Sequence, residues 1–161
     1  MSTGQEELEN DPENSCFGCG PSNPKGLRLH FVREGDRIVC DVTFDKWYSN
    51  WPGQVTDHVV DQALDCTSEW TCYIHTGQVA PFERVIAQST RTVIVGEPVH
   101  LDGYVTKRTP DILTVRAELH QHGELKAELE SELRIVKNLE EFHRLRPQVD
   151  LSPLMKRQLP Q

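Results

Sequence analysis

The chain has 161 residues, 37% hydrophobic and 26% charged, a composition that fits one globular domain with an ordinary core. Its 17 basic and 25 acidic residues give a formal net charge of −8, which disfavours nonspecific attachment to nucleic acid or an anionic membrane surface. It contains no apolar run of about 18 residues, and its first residues (MSTGQEELENDPEN) lack the pattern of a secretory signal. A cytoplasmic protein with reduced thiols is therefore expected.

Residues 1–15 are acidic and poor in large apolar side chains, and are expected to form a disordered arm. The stretch CFGCGPSNPKG follows, with Cys16 and Cys19 as a single CxxC. A structural zinc site takes four ligands, and no second CxxC or paired-histidine spacing supplies them. The expectation is no metal, with the thiols packed as small apolar groups. LRLHFVR (27–33) and RIVCDVTF (37–44) alternate apolar and polar residues around a Glu34-Gly35-Asp36 turn, and so predict a hairpin. An aromatic loop with Trp47, Tyr48 and Trp51 leads to Pro52-Gly53.

From about Asp57 to His75 the apolar residues Val59, Ala63, Cys66, Trp70 and Ile74 recur at helical spacing. Thr56 or Asp57 is the predicted N-cap and Gly77 the left-handed terminus. This helix carries Asp57, Asp61, Asp65 and Glu69 at every fourth position. Like charges at that spacing cost about 0.2–0.5 kcal/mol per pair, so the ladder demands a reason.

Four strand-like segments follow, at 82–95, 98–109, 112–121 and 124–136, separated by Gly, Pro and Asp turns. The last is rich in helix formers, yet its alternation from Leu125 to Ile135 favours a strand. Asn138 and Glu141 are placed as a capping box for a short helix stopped by Pro147, and a tail without periodicity runs to residue 161. One long helix among six or so antiparallel strands is an α+β layer architecture, and the sheet must curl around the helix to bury it.

CFGCGPSNPKGLRLHF, then WPGQV, a central helix and RTVIVGEPV together resemble the hotdog-fold thioesterase superfamily, in particular a branch opening on a CFxCG…NPxGL segment. The resemblance spans about residues 16–136. It implies a curved antiparallel β-sheet wrapped around one long central α-helix. It also implies a homodimer formed edge to edge, with pairing of dimers into tetramers left open, and hydrolysis of acyl-CoA thioesters at the dimer interface. Coenzyme A would enter only as part of the substrate, with no separate cofactor.

In the family, a His-Gly-Gly motif at the helix entry precedes a catalytic Asp or Glu. Thr56, Asp57 and His58 fall on His-Gly-Gly, and Asp65 falls on the catalytic carboxylate. The resemblance thus implies Asp65, Asp57 and His58 as catalytic positions, with Thr56, Trp51, Arg91 and Ser68 expected to bind substrate. Arg91 occupies a basic strand position, with Thr92 where the family has proline.

Thioester hydrolysis needs a base or nucleophile on one side of the carbonyl and hydrogen-bond donors at the developing oxyanion. Asp65 lies nine residues beyond Thr56, about 13 Å along a helix, so one helix cannot present both groups to one carbonyl. Two chains must share a site if the site is catalytic. Asp57 in place of glycine sets a carboxylate near the oxyanion, which favours a second reading, a silent hotdog that binds an acyl thioester or another apolar ligand. A third is an interaction module built on the helix and tail after Asn138.

Overall fold

The computed structural model describes residues 4–149. Strands β1 (Gln5–Glu7), β2 (Val32–Glu34), β3 (Arg37–Thr43), β7 (Pro98–Arg108), β8 (Ile112–Gln121), β9 (Glu124–Arg134) and β6 (Phe82–Ser89) form one seven-stranded antiparallel sheet in that spatial order. A small ribbon of β4 (Ser49–Trp51) and β5 (Gln54–Val55) stands apart from it. The long helix α1 (Asp57–Thr76) packs on β3, β7, β8 and β9, and a short helix α2 (Leu139–Leu145) follows the sheet.

The alternation read in the sequence fixes which face meets the helix. In β8, Leu113, Val115, Ala117, Leu119 and Gln121 are buried and the intervening residues are half-exposed. Ala127, Leu129, Ser131 and Leu133 do the same in β9, which is a strand despite its helix-forming composition. The β8–β9 hairpin turns on His122 and Gly123, both at positive φ (55° and 73°), which matches the twist of a two-residue loop. Gly103 in β7 is where helix and sheet come closest: a Cβ there would sit 2.3 Å from Thr71 Oγ1.

The helix contributes Val59, Val60, Ala63, Leu64 and Cys66 to the main core, opposite Leu101, Ala117, Leu119 and Leu129. Each such side chain contributes about 1.5–3 kcal/mol by leaving water. Gly77 closes α1 at φ 72°, its N–H donating to the Tyr73 carbonyl at 2.7 Å.

Several local expectations change. Residues 5–7 of the expected disordered arm form β1, Leu8 N–H donates to the Phe31 carbonyl, and Asp11 is buried. The predicted strand at 27–33 shrinks to β2, because Leu27 and Leu29 donate to the carbonyls of Phe17 and Gly18 in the cysteine loop instead of joining a ladder. The predicted strand at 82–95 ends at Ser89. Beyond it, the Val93 carbonyl accepts from Val55, and the buried Gln121 amide pairs with both the N–H and the carbonyl of Ile94.

Thr56 is the N-cap of α1 by backbone geometry, but its hydroxyl caps nothing. At α2, Asn138 Oδ1 accepts from the Glu141 N–H, while the Glu141 carboxylate reaches back to Lys137 N–H rather than to Asn138. Residues 150–161 of the predicted tail lie outside the described residues.

Candidate functional site

The polar stripe of α1 carries the predicted acid. Asp65 is half-buried and forms no hydrogen bond or ion pair among the described residues. Burial first, then the charges of Asp61 and Cys16, push its carboxyl up to about 6. Asp61 one turn earlier is also raised, by burial and then Asp57. Glu69 one turn later rises to about 8, by burial and then by Cys16 and Asp65, so it is largely protonated at neutral pH. The ladder is eased at its far end, where Glu69 carries little charge at neutral pH to oppose Asp65.

In the sequence, Glu69 enters only as the last rung of the acidic ladder. Its signal was present in the unbroken period of four, whose far end runs into the cysteine loop.

The mouth of α1 holds Thr56, with Asp57 and His58 exposed beside it. The first helical hydrogen bonds are those of Val59 and Val60 to the Thr56 carbonyl. The backbone N–H groups of Asp57 and His58 therefore have no acceptor among the described residues. Free donors at a helix N-terminus suit negative charge. The Asp57 side chain makes no hydrogen bond and does not cap its helix.

Trp51 stands on the β4–β5 ribbon just before the mouth and is 68% exposed. Trp47 is exposed too, whereas Tyr48 packs on the core and its hydroxyl donates to the carbonyls of Lys25 and Gly26.

The remaining predicted residues are placed elsewhere. Arg91 lies beyond β6, exposed, its guanidinium donating to Glu124 at 3.1 Å. Ser68 is fully buried and its hydroxyl finds no partner among the described residues. Thus Thr56, Asp57, His58 and Trp51 cluster at one end of α1, Asp65 and Ser68 lie two to three turns further on, and Arg91 stands just past the end of β6.

A second group forms where the N-terminal loop meets the helix. Cys66, on α1, joins Cys16 and Cys19, and the three sulfurs lie within 4.8 Å of one another. The CxxC alone did not reveal this third thiol, which comes from 47 residues further along the chain.

The outer face of the sheet has a separate depression of about 430 Å³ lined by Asp41, His100, His120 and His122, among others, and by none of the predicted site residues.

No protein-family model and no curated protein matches the chain. Solved structures do. A thioesterase superfamily protein aligns with TM-score 0.67 at 17% identity over 76% of this chain, which spans 60% of that chain's length. Zebra fish thioesterase superfamily member 2 aligns with TM-score 0.64 at 13% identity, covering 71% of this chain and 90% of that one. The architecture is the hotdog fold. A Streptococcus mutans protein solved with acetyl-CoA bound shares it too, with TM-score 0.61 at 14% identity over 67% of this chain and 88% of that one. At these identities the likeness is one of fold.

Proposed function

We propose that the protein is a hotdog thioesterase-like enzyme that hydrolyses an acyl-CoA thioester at a site shared between two copies of the chain. The observation that carries this reading is the pairing on one helix of an unpartnered, half-buried acid at Asp65 with free N–H donors at Asp57 and His58. The two ends are about 13 Å apart along α1, so each completes a site only with its counterpart on a second protomer.

In that site Asp65 takes the proton of a water that attacks the thioester carbonyl and passes it to the departing sulfur, or attacks the carbonyl itself to form an anhydride that water then hydrolyses. The N–H groups of the partner's helix mouth hold the oxyanion, and the thiol of coenzyme A leaves. The substrate class is supported by the acetyl-CoA bound to the Streptococcus mutans structure of the same fold. An edge-to-edge dimer is supported by β6. Among the described residues it pairs with β9 alone, carries exposed Val85 and Ile86, and ends the sheet on an edge of the kind that proteins pair or protect.

The exposed, uncapping Asp57 favours a second reading, a binding protein without turnover, because its charge opposes the oxyanion. Incubation with short, long and aromatic acyl-CoAs in the presence of a thiol reagent separates the two. Thiol release that stops in Asp65→Asn supports hydrolysis. No release, with thermal stabilisation by a nonhydrolysable acyl-CoA, supports the binder.

A further inference from the structure

The cysteine cluster has no part in the chemistry just described, and its geometry is specific. Cys16 and Cys66 sulfurs are 3.7 Å apart, and Cys19 completes a triangle whose sides are all within 4.8 Å. Around a zinc ion with Zn–S bonds of about 2.3 Å, tetrahedral thiolates stand about 3.8 Å from one another. The triangle therefore needs only a small contraction to take the ion, and none of the three cysteines is committed to a disulfide.

The surroundings suit thiolates. Gln62 Nε2 donates to Cys66 Sγ at 3.4 Å and Asn14 Nδ2 to Cys19 Sγ at 3.8 Å. Two of the three sulfurs thus have an amide N–H donor, the outer-shell support that orients metal ligands.

The loop is also built to approach the helix. A Cβ at Gly18 would lie 2.3 Å from Cys66 Sγ, and one at Gly20 would lie 2.4 Å from the Cys16 nitrogen. Only glycine at both positions lets CFGCG fold its thiols onto α1.

We propose that Cys16, Cys19 and Cys66 bind a zinc ion that ties the N-terminal loop to the central helix, with the fourth position open to solvent on the half-buried Cys16 side. The ion supplies a link that the loop's few apolar contacts do not. It holds the carbonyls of Phe17 and Gly18 where Leu27 and Leu29 donate to them. Cys40 and Cys72 are buried away from the cluster and serve as internal controls.

The test uses the full chain, expressed with added zinc, dialysed, and measured for metal content. The same chain is then loaded with cobalt(II) and scanned for sulfur-to-cobalt charge transfer. The account predicts about one zinc per chain and a strong thiolate band. Cys66→Ser and Cys16→Ser should lose both, with at least about a tenfold drop in affinity. Cys40→Ser and Cys72→Ser should keep both. Wild-type protein that retains no zinc and gives no thiolate–cobalt band overturns the proposal. So does zinc content unchanged in Cys66→Ser. The wild-type cobalt spectrum decides the matter even if a serine variant fails to fold.

Discussion

Replacing Asp65 by Asn separates a catalytic acid from a structural one, because the two roles predict opposite signs in stability. The side chain has no hydrogen bond or ion pair within the described residues, so the substitution breaks no contact. It removes a charge that faces Asp61 one turn away, a like-charge pair costing about 0.2–0.5 kcal/mol. Glu69, on the other side, is raised to about 8 and contributes little charge at pH 7. Partial burial of the ionised carboxylate adds a further cost that the amide relieves. Folding of Asp65→Asn at pH 7 should therefore be unchanged or more stable, by up to about 1 kcal/mol.

Loss of a general base costs about 10²–10⁴ in rate, or about 3–5 kcal/mol of transition-state stabilisation. Urea unfolding and thiol release from acyl-CoA measure the two quantities on the same preparation. A variant that keeps its turnover, or is destabilised by more than about 1 kcal/mol, would show that Asp65 is structural and refute the reasoning.

Three other substitutions probe the surrounding structure. Asp57→Asn removes a charge expected about 4 Å from the oxyanion. Turnover should rise by between about fivefold and a thousandfold, the limits set by dielectrics near 80 and 20, with the thiol-release assay as readout. Gly103→Ala drives a methyl group against Thr71 Oγ1, which donates to the Thr67 carbonyl at 2.7 Å, and against Thr67 Cγ2. Overpacking of this kind should cost about 1–3 kcal/mol in urea unfolding, since both neighbours are fixed to the helix.

Glu118 accepts from Tyr104 at 2.9 Å and from His120 at 3.0 Å and pairs with Arg116 at 3.0 Å. Burial opposes its charge, but the His120, Tyr104 and Arg116 interactions prevail and hold its carboxyl below the ordinary value. That contribution is present above the unfolded carboxyl's pKa and is lost as pH falls through the lowered folded value. Glu118→Gln should cost about 1–2 kcal/mol at pH 7, after discounting for solvent screening, and the gap to wild type should close in acid.

The helix and the strands from β7 to β9 were legible in the sequence because each repeats its own period over ten or more residues. Asp65 and the helix mouth were proposed as a site from the family resemblance, lined up on Pro52-Gly53 and Leu64-Asp65, not from periodicity. Features that depend on distant partners were not legible. Leu27 and Leu29 have the alternation of a strand, yet their N–H groups are taken by the cysteine loop. The strand predicted to run through Val93 breaks because Gln121, far along the chain, holds Ile94. Cys66 looked like one apolar residue of a helical stripe until the fold set it beside Cys16.

Mixing two inactive variants tests the shared site most directly. Asp57→Pro removes the first free N–H at a position where helices accept proline, and Asp65→Asn removes the acid. Each chain alone should be inactive, or nearly so. After the two are unfolded and refolded together in equal amounts, half the dimers are mixed and each holds one intact site, so the account predicts about a quarter of the wild-type rate. A mixture no more active than its separate components would contradict it.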